Sequence, residues 1–232
     1  MAVARRLCTA LLWLCGAAAS ANDRPFLAAS SAAAEEDDDA VWSVEGTYQR
    51  SGAVRSQSLA AEYAFDPVNS LQIEFARSRD RALQSTDLAT GIEYKHLFNH
   101  IARDGYGWGV IVGLEFARPQ AAGWSADAWS VVLPWTLQIG VAQGLLHANL
   151  GLVKPHDEHH QWTAALAYEH EVARRTTLFA EVARDGESRL VHGGLRYWAR
   201  REKLALDLSL QRSWADGSRR NGFVVGIGFY DL

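Results

Sequence analysis

PHDEHH groups potential metal ligands of two kinds, with His156, Asp157, Glu158, His159 and His160 following one another. Imidazole nitrogens and carboxylate oxygens of this kind suit zinc or copper. A run of neighbours in a polar loop fixes no ligand geometry. No metal site is assigned, and His156, His159 and His160 are the positions to inspect. Nucleophilic catalysis needs a hydroxyl or thiol beside a base, and a third group that orients the base. His192 stands near the middle of an alternating segment, on the same face as Arg196, but no GxSxG occurs and no Ser–His spacing is distinctive. The expectation is a protein with no catalytic residues and no cofactor, and not an enzyme.

A third chemistry is spread along the chain. Glu45, Glu62, Glu74, Glu93, Lys95, Glu115, Glu169, Glu181, Arg196, Asp207 and Gln211 all share parity with the polar side of segments whose other side is apolar. Such side chains can line a wet lumen and set its charge preference. They can also pair with one another, for example Glu93 and Glu115 with Lys95 and Arg196, and fill a closed interior.

The elements that would position them are strands. In VWSVEGTYQR, Trp42, Val44 and Tyr48 share one face, with Ser43, Glu45, Thr47 and Gln49 on the other. LQIEFARS sets Leu71, Ile73 and Phe75 against Gln72, Glu74 and Ala76. A two-residue period marks a strand with one apolar face. About twelve such segments follow, near 41–50, 56–65, 70–79, 88–98, 105–117, 126–139, 145–154, 161–171, 176–184, 189–199, 203–213 and 221–230. Most have about ten residues, the length of a tilted strand crossing a bilayer.

Short links such as DPVN, AQG, VARR and ARRE alternate with more polar, mostly longer ones such as RPQAAGWSA and KPHDEHHQ. Short turns on one side and longer loops on the other are the habit of outer-membrane barrels. Aromatic residues gather at both strand ends: Trp42, Phe65, Tyr106, Trp108, Tyr168, Tyr197, Phe229 and Tyr230 at one level, Tyr48, Trp129, Trp162 and Trp214 at the other. Rings at two levels fit two membrane interfaces. A lipocalin-like barrel or a β-sandwich, with its apolar face inward, seldom needs twelve strands or such girdles. The fold class is therefore all-β, a transmembrane antiparallel up-and-down β-barrel of about 12 strands spanning 41–232. NGFVVGIGFYDL at the C-terminus is its closing strand.

Residues 1–21 have the layout of a secretory signal peptide: Arg5 and Arg6, an apolar run from Leu7 to about Ala18, then Ala19, Ser20 and Ala21. Both cysteines, Cys8 and Cys15, fall within it, so the mature chain has no disulfide framework and no thiol nucleophile. Residues 22–40, rich in Ala and Ser and ending on Glu35, Glu36, Asp37, Asp38 and Asp39, read as a disordered acidic lead-in. With 23 Lys and Arg against 27 Asp and Glu, the net charge of -4 argues against a nucleic-acid partner.

LFAEV (178–182), GGLRYWARREKLALDLSLQRS (193–213) and GIGF (226–229), with GIEYKHLF (91–98), resemble the outer-membrane proteins grouped with the MetA-pathway of phenol degradation. The resemblance implies a cell outer membrane location and passage of small, aromatic or hydrophobic solutes, and it supplies no catalytic residues. The expected partners are outer-membrane lipid, the barrel assembly machinery that reads terminal aromatics such as Phe229, and small solutes. A structural barrel with a packed, salt-bridged lumen is the alternative, and a barrel-embedded lipid-modifying enzyme the third reading.

Overall fold

The computed structural model describes residues 25–32, 41–119, 123–140, 144–215 and 217–232. The strands are β1 (Val41–Ser51), β2 (Val54–Asp66), β3 (Asn69–Asp80), β4 (Ser85–Leu97), β5 (Tyr106–Arg118), β6 (Ser125–Ile139), β7 (Gly144–Pro155), β8 (Gln161–Ala173), β9 (Thr176–Asp185), β10 (Ser188–Arg200), β11 (Leu204–Ala215) and β12 (Ser218–Phe229). A single helical turn, α1 (Ile101–Asp104), lies between β4 and β5. Each strand pairs antiparallel with its neighbours in sequence, and β1 pairs with β12 from Val44↔Phe229 to Ser51↔Gly222, which closes the barrel. Closure leaves no unpaired strand edge, so the apolar C-terminal strand has a partner on both sides.

Parity decides the two surfaces. On β11, Leu210 is 71 % exposed while its neighbour Gln211 is 6 % exposed, and Leu206 and Leu208 likewise face outward. Leu59, Phe75, Leu114, Leu150 and Leu166 continue the outer apolar surface around the barrel, while Glu62, Gln72, Glu74 and Glu169 are buried inside. An apolar outside over a polar inside is the surface of a barrel whose outer solvent is lipid.

The aromatic residues assigned to the two girdles are mostly exposed on the outer surface: Trp42, Phe65, Tyr106, Trp108, Tyr168, Tyr197 and Phe229 at one end, Trp129, Trp162 and Trp214 at the other. Tyr230 departs from that assignment. It has the opposite parity from Phe229, is buried, and donates its hydroxyl proton to Glu45 inside the barrel. The loop lengths also depart from expectation. The β1–β2 link is only 52–53, because pairing runs on to Ser51↔Val54, whereas residues 98–105 make a long link at the end that holds the C-terminus. The amide of Leu232 donates to the Trp42 carbonyl at 3.1 Å, which places the C-terminus beside the start of β1.

The largest departure concerns residues 25–32. Composition places them in a disordered lead-in, yet they lie inside the barrel, with Phe26, Leu27, Ala29, Ser31 and Ala32 all buried. The physical reason is that wall side chains satisfy their backbone amides, as the next subsection sets out. The signal segment 1–21 and the acidic run 35–39 fall outside the described residues.

Candidate functional site: the barrel lumen

The luminal segment is held by wall side chains from three strands. On β9, Glu181 Oε2 accepts from the Leu27 amide at 2.9 Å, and Oε1 accepts from Ala28 at 2.8 Å and Ala29 at 2.5 Å. On β7, Asn149 Oδ1 accepts from the Ser30 amide at 2.7 Å while its Nδ2 donates to the Ser30 carbonyl at 2.9 Å. On β6, Thr136 Oγ1 accepts from the Ala32 amide at 2.7 Å. Hydrogen bonds to a charged acceptor contribute about 1.5–3 kcal/mol each, and a buried amide left without one is costly. The wall thus does for this segment what a neighbouring strand does elsewhere in the barrel.

Apolar contacts add to the hold. The Phe26 ring packs edge-on to Phe179 at 5.9 Å and against His147 at 5.0 Å, in a cluster with Ala29, Ala165 and Ala167. Leu27 packs with Leu190 and Val224. At the Ala32 end the wall residue is Gly107, where a Cβ would fall on the Ala32 carbonyl oxygen. Only glycine lets the segment approach the wall so closely.

Charges line the rest of the lumen. Arg196 on β10 grips Asp207 on β11 with two hydrogen bonds, Nε to Oδ1 at 2.8 Å and Nη2 to Oδ2 at 2.9 Å, and lies 3.7 Å from Glu45. Its guanidinium also stands 5.4 Å from the Tyr230 ring centre. Lys95 lies 3.1 Å from Glu62, which accepts from Ser70 Oγ. Glu74, Glu93 and Glu115 border a cavity of about 440 Å³ together with Asp127. A second cavity of about 910 Å³ adjoins the luminal segment at Leu27, Ala28 and Ser30 and reaches Arg184, Asp185 and Arg189. A third, of about 650 Å³, lies along Pro25, Phe26 and Leu27 and reaches Glu45, Asp207 and Ser209.

Every one of the eleven residues that parity assigned to the interior is buried or half-buried. Arg196 meets Asp207 and Glu45, and Lys95 meets Glu62. The loop histidines are not brought together on a shared point: His156 is exposed and 3.9 Å from Asp157, and the His160 ring packs on Trp129 at 5.9 Å. Among the described residues no group of three His, Asp or Glu side chains is placed to hold a metal ion.

Sequence reasoning passed over Thr136, His147 and Asn149, and placed Ser209 in the lumen without a partner. His147 and Asn149 carry a usable signal, since they alternate with Ala148 and Leu150 on β7 and so share the luminal parity. His147 is fully buried, with Nδ1 3.0 Å from Thr136 Oγ1 and Nε2 3.6 Å from Glu169. Ser209 lies 2.7 Å from His192 Nε2, and His192 Nδ1 lies 3.1 Å from Glu181 Oε2.

No family model matches the chain, and no curated protein matches it. Solved structures do. The KdgM porin in complex with disordered oligogalacturonate superposes with a TM-score of 0.61 at 10 % identity, over 81 % of this chain and 98 % of its own. The NanC porin gives 0.56 at 9 % identity, over 81 % and 98 %. The toluene transporter TbuX of Ralstonia pickettii gives 0.50 at 6 % identity, over 84 % and 90 %. The fold is that of an outer-membrane β-barrel. At such identities the likeness concerns the barrel architecture, and the contents of the lumen must speak for themselves.

Proposed function

We propose that this outer-membrane barrel is a gated conduit for small solutes, with residues 25–32 as its resident plug. The observation that carries the reading is how the segment is held. It is bound by Glu181, Asn149 and Thr136 side chains, not paired as a strand, and it adjoins cavities of about 910 and 650 Å³. Plugged lumens are a recurring form of such barrels. The lining favours cationic or neutral solutes, since Glu45, Glu62, Glu74, Glu93, Glu115, Glu169, Glu181 and Asp207 outnumber Lys95 and Arg196. Field lines concentrate in a low-dielectric passage, so that excess disfavours anions. A polyanion such as the oligogalacturonate held by the KdgM porin is a poor fit to it.

Aromatic solutes are the finer part of the proposal. The likeness of 178–182, 193–213 and 226–229 to the phenol-degradation barrels supports it, as does the wall pocket of Phe179, His147, Ala165 and Ala167, which already holds the Phe26 ring. The second reading, a structural barrel with a filled interior, draws on the Arg196–Asp207–Glu45 and Lys95–Glu62 pairs. Conductance of the purified protein in a planar bilayer separates the two. The full chain is expected to pass little current, and deletion of 25–32 to raise it severalfold. A deletion variant that folds and still carries no current would establish the filled barrel.

A further inference from the structure

Three buried side chains on adjacent strands form one hydrogen-bonded chain, of which Glu181 also holds the plug while His192 and Ser209 make no hydrogen bond to it that is described above. His192 on β10 lies opposite Glu181 on β9, and Ser209 on β11 lies opposite Gly194, two residues along from His192. Ser209 Oγ is 2.7 Å from His192 Nε2, and His192 Nδ1 is 3.1 Å from Glu181 Oε2. Glu181 already accepts three backbone amides, so its oxygens act as acceptors and Nδ1 must donate to it. That fixes the tautomer. Nε2 is left with its lone pair toward the Ser209 hydroxyl, the arrangement in which a histidine takes a proton from a nucleophile. Gly194 keeps the approach open, since a Cβ there would meet Ser209 Cβ at 2.5 Å.

We propose that Ser209 is the nucleophile of an esterase site inside the barrel, with His192 as its general base and Glu181 as the residue that positions His192. The substrate class is small uncharged esters. Ser209 opens on the cavity of about 650 Å³, whose walls include Phe26, Thr47 and Val224 as well as Glu45, Glu74 and Asp207, and those carboxylates oppose an anionic substrate. The site faces the lumen, so the ester arrives through water and not from the bilayer. Oγ bonds to the carbonyl carbon as its proton passes to Nε2; the bond to the alcohol oxygen then breaks and the alcohol leaves with that proton. Water, deprotonated in its turn by Nε2, releases the acid and restores Ser209, so ester and water give acid and alcohol. The negative charge that develops on the carbonyl oxygen needs donors. Gln211 lies two residues from Ser209 on the same face of β11, and its buried Nε2 has no hydrogen-bond partner among the described residues.

This activity goes beyond the conduit and does not depend on whether the lumen passes current. The test is labelling of the folded full chain with a fluorescent alkyl fluorophosphonate, together with hydrolysis of p-nitrophenyl acetate. The expected result is one adduct per chain, mapped to Ser209 by peptide mass. Ser209→Ala and His192→Asn should abolish it and lower hydrolysis by at least about 100-fold, the low end of what a positioned base contributes. Glu181→Gln should lower kcat and displace the pH–rate profile, which a purely structural contact would not do. Labelling seen only after deletion of 25–32 also supports the site and makes the segment its cover. The proposal is overturned if neither the full chain nor the deletion variant is labelled at Ser209 while both show the heat-modifiable migration of a folded barrel. It is equally overturned if Ser209→Ala hydrolyses the ester as fast as the parent.

Discussion

Asn149 and Ser30 exchange two hydrogen bonds across the lumen, the side-chain amide of one meeting both the N–H and the C=O of the other. A primary amide offers the same donor and acceptor pair as a peptide group, so Asn149 acts as one rung of a ladder for a segment that has no strand partner. The residues are 119 positions apart. Replacing Asn149 with Ala takes this partner from two backbone groups of the half-buried Ser30, at about 1–3 kcal/mol for each group that water does not reach. Open probability in single-channel recordings should rise by about fivefold or more, the factor that corresponds to about 1 kcal/mol, the lower end of that range for one group. Asn149→Ala recordings that match the parent would separate the segment from gating.

Adjacent residues on β3 test the two surfaces of the wall. Ile73 faces outward and Gln72 is buried in the lumen beside Glu93. Ile73→Lys puts an ammonium in the lipid-facing belt, where a basic residue at mid-depth costs about 2–4 kcal/mol. Gln72→Lys puts the same charge among carboxylates and should cost far less. Denaturant unfolding in liposomes, with Ile73→Lys much the less stable, checks the assignment, and equal stabilities would refute it.

Charge preference follows from the lining. With residues 25–32 deleted, the reversal potential in asymmetric potassium chloride should report a preference for potassium over chloride. Glu74→Gln, Glu93→Gln and Glu115→Gln together should weaken it without loss of the folded band, since Gln keeps the shape of each side chain. A stable chloride preference would remove the carboxylates from the account.

The link between β4 and β5 makes a pH prediction. The Arg103 guanidinium forms two hydrogen bonds to Asp104, at 2.8 and 2.9 Å, and holds its carboxyl at about 2, below its usual 3.8. A lowered folded value means a stabilising contribution that is complete above about 4 and disappears as pH falls through about 2. Asp104→Asn should therefore be less stable than the parent near neutral pH, by a small amount because the pair is exposed, and the two should converge toward pH 2. A difference that persists at pH 2 would point to a cause other than this carboxylate.

The walls of the barrel were legible in the chain because their signal is local. Trp42, Val44 and Tyr48 against Glu45, Thr47 and Gln49 show a period of two within one strand, and that period alone assigns Leu210 outward and Gln211 inward. Parity even contained the correction for Tyr230, which cannot share a face with Phe229. The lumen's contents were not legible in the same way. Pro25 to Ala32 carry no charge and, apart from Phe26 and Leu27, no large side chain among their Ala and Ser residues, and no local pattern says that Glu181, Asn149 and Thr136 will satisfy their amides from more than 100 positions away. His192, Ser209 and Glu181 could each be placed inward by counting, but not Ser209 and Glu181 as the two neighbours of His192. Those distances depend on the register of three strands and on closure of the sheet, and register is a property of paired strands, which no single segment carries.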